Sequence, residues 1–95
     1  MSRVVASQTW QLSLPGCASL KEKRSVVRSL KDRLRVRFAL SVAETAHQDV
    51  LTRAEVSVAL VASDRRVAET VLDRADRLVQ EDGRALILDS RRDFH

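Results

Sequence analysis

Only two glycines and one proline punctuate the 95 residues, and the chain has one cysteine, one tryptophan, two phenylalanines and no tyrosine. So little glycine and proline excludes collagen-like and linker-like chains. A single thiol, Cys17, cannot close an internal disulfide. That argues against a small stapled secreted fold and for a reducing compartment. There is no apolar run of about 18 residues and no charged-then-apolar leader, so neither a membrane span nor a signal peptide is expected. The two histidines, His47 and His95, form no pair at helical spacing, and there is no Cys-x-x-Cys. A zinc or heavy-metal site therefore lacks its ligands. Glycines only at positions 16 and 83 cannot build a phosphate-cradling loop. Cys17 has no positioned base, and nothing singles out a serine for Ser-His-Asp chemistry. The sequence thus offers no catalytic constellation, no metal site, no cofactor motif and no small-molecule ligand. A non-enzymatic cytoplasmic protein is the expectation.

What is present is a patterned, single-domain-sized chain with 44% hydrophobic residues. From Val4 to Leu14 apolar and polar residues alternate, with Gln8 the exception on the apolar face, as in a strand wet on one side. Pro15-Gly16 stops it. Ser19-Leu20-Lys21-Glu22 is a capping box opening a helix to about Phe38, with Leu20, Val27, Leu30, Leu34 and Phe38 as its apolar stripe. Ala39 to Ala46 reads as a second strand and Arg53 to Ala62 as a third, joined by a polar hairpin connection. Asp64 suits the N-cap of a second helix, Arg65 to Glu81, with Val67, Val71, Ala75 and Leu78 inward and Leu72 and Val79 flanking. Its outer face mixes signs, with Asp73, Arg77 and Glu81 at four-residue steps. Gly83 fits a C′ glycine. Ala85 to Asp89 is the last strand, and residues 91–95 read as a frayed tail. Strand–helix–strand–strand–helix–strand, with right-handed crossovers, predicts one α+β domain of ferredoxin-like βαββαβ plait. It has a four-stranded antiparallel sheet and both helices on one face.

The charge is unevenly placed. Residues 20–38 carry eight basic and two acidic side chains, a net of +6 in a chain whose total is +4. At 100° per residue, Lys21, Arg24, Arg28, Lys31 and Arg35 fall within a sector of about 80°, spanning about 21 Å of helix. Long basic side chains also solvate the rim of an apolar stripe. A single-sign stripe of this length nevertheless matches several phosphate spacings of a nucleic acid. RNA-recognition motifs share this element order but stack bases on aromatics of the open sheet face. Here that face offers Ser7, Thr9, Gln11, Ser13, Glu55 and Ser57, so phosphate tracking by the helix is the expected mode.

Leu14-Pro15-Gly16, Ser19-Leu20-Lys21-Glu22-Lys23-Arg24, Ser41-Val42-Ala43-Glu44, His47-Gln48-Asp49 and Arg53-Ala54-Glu55 together resemble the YlxP-like family of small bacterial proteins of unknown function. The likeness covers nearly the whole chain. It implies a ferredoxin-like fold and a gene neighbourhood of translation-initiation and ribosome-maturation factors, and it carries over no catalytic residue. It marks Ser19, Lys21, Lys23, Arg24, Glu44, Gln48, Asp49 and Arg53 as motif positions. Of these, Ser19 is explained by capping, and Glu44 is expected to meet Arg53 across the hairpin. The nucleic-acid candidates are Lys21, Lys23, Arg24, Arg28, Lys31 and Arg35, with RNA or a ribosomal subunit as partner. The rival expectation is a protein-interaction or self-association module, a homodimer through an edge strand or the open sheet face.

Overall fold

The computed structural model describes residues 3–95. Its elements run β1 (Val4–Ser13), α1 (Leu20–Phe38), β2 (Ser41–Ala46), β3 (Arg53–Ala62), α2 (Arg65–Glu81) and β4 (Leu86–Phe94). The sheet order is β2-β3-β1-β4, every neighbouring pair antiparallel, which is the expected plait. Alternation along β1 sends Ala6, Gln8, Trp10 and Leu12 toward the helices, where they are buried with Val56 and Val58 of β3. Neither helix is long and apolar enough to cross a membrane.

Local chemistry sets the helix ends. Ser19 Oγ accepts from Glu22 N–H at 3.1 Å, and Glu22 Oε2 accepts from Ala18 N–H at 2.7 Å, so the capping box forms one residue wide of its usual closure. Asp64 Oδ1 accepts from Val67 N–H at 2.9 Å and starts α2. Helix α1 ends on Ala39 in the left-handed region (φ 54°), so β2 begins at Ser41 and not at Ala39.

Gly83 is not a left-handed stop, since no described glycine has a positive φ. Asp82 closes α2 instead, accepting from the Arg84 backbone N–H at 2.9 Å and Nε at 3.0 Å. The buried stripe of α2 is Ala68, Leu72, Ala75, Leu78 and Val79, while Val67 is 46% exposed. The helix has turned so that the small Ala68 and Ala75 face the core, side chains over which a helix can lie close to a sheet.

Residues 91–95 do not fray. Through Phe94 they extend β4 along β1, pairing Thr9 with Arg91, Gln8 with Arg92 and Ala6 with Phe94, and Val5 and His95 exchange both backbone bonds. The cause lies inside. Arg92 Nε donates to Gln8 Oε1 at 2.7 Å and its Nη1 to Asp73 at 2.8 Å, while Phe94 packs on the core beneath the Arg65 guanidinium, 4.2 Å from the ring centroid.

Asp82 joins the two helices. Buried, it also accepts from Arg84 Nη2 at 2.7 Å and from Arg33 of α1. The Arg84 side chain, followed by its backbone N–H and Arg33, holds this carboxyl well below its ordinary 3.8, and burial opposes the shift. An unfolded chain regains the ordinary value, so it binds the proton first. The stabilisation is therefore complete above about pH 4 and drains as pH falls below that, by at most roughly 1.4 kcal/mol per pH unit. Glu55 is lowered too, by its hydrogen bonds from Thr45 and Gln11, and adds to the same acid limb. Urea titrations at stepped pH should show Asp82→Asn less stable at neutral pH, with the gap to wild type narrowing steadily as pH falls below about 4. Parallel curves would refute this role for Asp82.

Candidate nucleic-acid interface

The apolar stripe of α1, Val26, Val27, Leu30 and Leu34, fixes the rotation of the helix on the sheet. The sector Lys21, Arg24, Arg28, Lys31 and Arg35 is thereby turned to one flank, the side from which Arg35 reaches edge strand β2. Lys21, Arg24 and Arg28 are exposed and Lys31 is half-buried; among the described residues none of the four has a carboxylate within ion-pair distance. Arg35 is partly engaged, donating to Val42 O at 3.0 Å on the β2 edge and to Asp32 at 3.3 Å.

Lys23 leaves the list of phosphate contacts. Its side chain is 1% exposed, and Nζ lies 3.1 Å from Glu44 Oε2, donates to Gln48 O at 3.3 Å and donates to His47 O. The same 100° arithmetic that builds the basic sector puts Lys23 about 20° from Leu30, on the buried side. That signal was present in the sequence.

Glu44 likewise does not pair with Arg53. It stands opposite Val56 and shares the helix-facing side of β2 with Val42, whereas Arg53 stands opposite Ser13 on the other face of the sheet. Gln48 Nε2 donates to Glu44 O at 3.2 Å. The structure thus brings Lys23, Glu44 and Gln48 together at the β2–β3 turn, with Ser19 a few residues away at the start of α1. Asp49 and Arg53 are exposed and outside this cluster. Much of the motif is the tie between α1 and that turn.

The open sheet face is a polar ladder. Thr9 and Ser57 hydroxyls lie 2.8 Å apart, Gln11 Nε2 donates to Glu55 at 2.6 Å, and Thr45 bonds both Glu55 and, at 2.9 Å, Ser57. No aromatic side chain stands on it: Trp10 and Phe94 share the helix-facing side, and Phe38 packs against the core from α1. Among the described residues no group of three His, Cys, Asp or Glu side chains is placed to hold a metal ion. Sequence patterning missed the Asp82 clamp and a network around Asp76, which accepts from Trp10 Nε1 at 2.8 Å, Gln8 Nε2 at 3.2 Å and Gln80 Nε2 at 2.8 Å. Gln8, the break in the β1 alternation, was the one local sign of it.

Comparison with known proteins agrees with the fold. The chain resembles a designed protein, Foldit4 (15% identity, 97% of each chain, TM-score 0.56). It also resembles a dimeric ferredoxin-like protein from an uncultured marine organism (9% identity, 99% of this chain and 96% of that one, TM-score 0.55). A dabb family protein of Mesorhizobium loti with a ferredoxin-like fold is similar again (14%, 99% and 96%, TM-score 0.52). At these identities the likeness is one of fold. In sequence, the uncharacterized protein YlxP of Bacillus subtilis (strain 168) is 38% identical over 56 residues, 59% of this chain and 61% of that relative's length. The family model described as protein of unknown function, DUF503, matches residues 5–92. With that match along nearly all its length, the chain belongs to the DUF503 family of proteins of unknown function and is YlxP-like in sequence.

Proposed function

We propose that this protein is a non-enzymatic, cytoplasmic RNA-binding domain, of ribosomal or ribosome-associated RNA, that contacts phosphates through the outer flank of α1. The observation that carries the reading is the row Lys21, Arg24, Arg28 and Lys31, four cations on one flank with no carboxylate partner among the described residues. A face serving solubility alone gains by mixing signs, because opposite charges at helical spacing stabilise and like charges repel. Guanidinium and ammonium heads spaced along a helix suit a polyanion, whose binding releases condensed counterions. Four phosphate contacts on single-stranded RNA correspond to a slope of about −2.8 in log K against log salt, so affinity falls roughly fifty-fold between about 50 and 200 mM.

Fluorescence anisotropy on a single-stranded ribosomal RNA segment tests this. Arg24→Glu/Arg28→Glu/Lys31→Glu should lose about a hundredfold in affinity and most of the salt slope, with unchanged circular dichroism. A flat salt response in the wild type, or full binding by the folded triple variant, would sink the reading.

One observation favours a second reading, self-association through an edge. Among β2 residues only Glu44 is charged, and it turns inward to Lys23, so none of β2's own side chains blocks its outer edge, where Arg35 of α1 covers the Val42 carbonyl. One solved relative in fold is described as dimeric. Light scattering showing a salt-insensitive dimer, together with no RNA affinity, would favour this alternative.

A further inference from the structure

Beside the opposite flank of α1 stands a second set of cations, from both helices, with no carboxylate at ion-pair distance among the described residues. Arg37, from the last turn of α1, and Arg74 and Arg77, from α2, line a groove of about 380 Å³ between the helices, with Phe38, Leu78 and Glu81. Its charge is not what the α2 sequence suggests. The four-residue spacing offers Arg77 two acidic neighbours, Asp73 and Glu81, but Asp73 reaches β4 and binds Arg92 at 2.8 Å. Glu81 has no ion-pair partner among the described residues. The remaining carboxylates nearby are engaged elsewhere: Glu69 with Arg65 at 3.0 Å, Asp76 with Trp10 and Gln8, Asp82 with Arg84 and Arg33. Three guanidiniums thus line one groove against a single carboxylate, Glu81.

We infer that this groove holds the phosphate of a nucleotide, with the base against Phe38. The ligand is either one nucleotide of the RNA tracked by α1 or a free nucleotide; the first form rests on the RNA reading of α1. The planar forks of arginine match phosphate oxygens in pairs. An aromatic ring beside a cationic groove is the usual platform for an unpaired base. The volume lies in the range of small-ligand sites, about 300 to 1,000 Å³. On the helical wheel Arg37 lies about 160° from the middle of the Lys21–Arg35 sector. An RNA strand therefore reaches the groove by crossing the crest of α1, a helix width of about 10 Å and a few phosphate spacings. Near that end the crest carries Val36, 87% exposed and uncharged.

The test is Arg74→Ala/Arg77→Ala, two exposed positions, with the melting temperature checked first. Two probes are used: a fluorescein-labelled oligouridylate of about 12 nucleotides, read by anisotropy across a salt series, and ADP, read by NMR shifts at Phe38 and Leu78. The double variant should lose about tenfold in RNA affinity and about 1.4 from the salt slope, since two phosphate contacts on a single strand each contribute about 0.7. If the wild type binds RNA and the double variant binds it equally with the same slope, the groove inference fails while the α1 reading survives. If the wild type binds no RNA, the α1 reading fails and ADP decides the groove. Shifts lost in the double variant establish a free-nucleotide site, and no shifts dispose of it.

Discussion

Replacing Lys23 with alanine is expected to remove about 3 kcal/mol of folding stability and roughly 15 °C of melting temperature, leaving RNA affinity per folded molecule within about twofold. Nothing in the composition of a basic helix foretells that one of its lysines is structural. Its Nζ is enclosed by Glu44 Oε2 at 3.1 Å and by the carbonyls of His47 and Gln48. The alanine variant leaves Glu44 without its counter-charge in a mostly buried site. Breaking one side of a buried pair costs about 3–5 kcal/mol. The lower end applies because the Glu44 side chain is 16% exposed and can recover some water.

The loss also loosens a turn that has few other restraints. His47 sits at φ 65°, and its carbonyl accepts from both Val50 N–H, at 3.0 Å, and Lys23. Amide exchange at residues 47–52 should accelerate before the rest of the chain opens. The double variant Lys23→Met/Glu44→Leu should regain most of the stability, because two apolar groups leave no orphaned charge. Thermal melts decide the matter. A Lys23→Ala protein that melts with the wild type, or one that keeps its stability but loses RNA, would return Lys23 to the phosphate surface.

What the chain discloses at the level of pattern is what repeats locally. The plait was legible because strand alternation at β1 and β3 and the caps at Ser19 and Asp64 each depend on residues within a few positions of one another. The basic flank of α1 was legible for the same reason. What escaped depends on partners far apart in the chain. Arg92 and Gln8 are 84 positions apart, so a charged C-terminus that reads as solvent-facing is a strand whose inward residues find acceptors on β1 and α2. Glu44 and Arg53 seemed matched by sign and proximity, yet two-residue periodicity puts them on opposite faces of the sheet. Asp73 sat at the right spacing for Arg77 and was taken by β4. For Glu44 and Asp73 a short-range charge pairing lost to a longer-range one, with Lys23 and with Arg92. The residual unpaired cations are therefore a tertiary property that the raw charge of +4 does not disclose.

The same network yields a large and self-reporting effect at Asp76. One carboxylate oxygen accepts from both Trp10 Nε1 (2.8 Å) and Gln8 Nε2 (3.2 Å), while the other accepts from Gln80. Trp10 is fully buried and Gln8 nearly so, so Asp76→Ala leaves two donors inside the core without acceptors. Each orphaned group costs about 1–3 kcal/mol, giving an expected loss of about 3 kcal/mol. Asp76→Asn retains an oxygen for Trp10 and should lose only about 1 kcal/mol, the difference between a charged and a neutral acceptor. Because the chain has one tryptophan, its emission reports both unfolding and the polarity around the freed indole N–H, with no label required. Arg92→Ala should cost about 2 kcal/mol by a related route, orphaning Oε1, the other polar atom of the same Gln8 amide. Since both variants release Gln8, their combination should fall short of the sum by at least about 0.5 kcal/mol. Full additivity would mean that Asp76 and Arg92 hold Gln8 independently, and an Asp76→Ala protein as stable as the wild type would mean that α2 is held on the sheet by its apolar stripe alone.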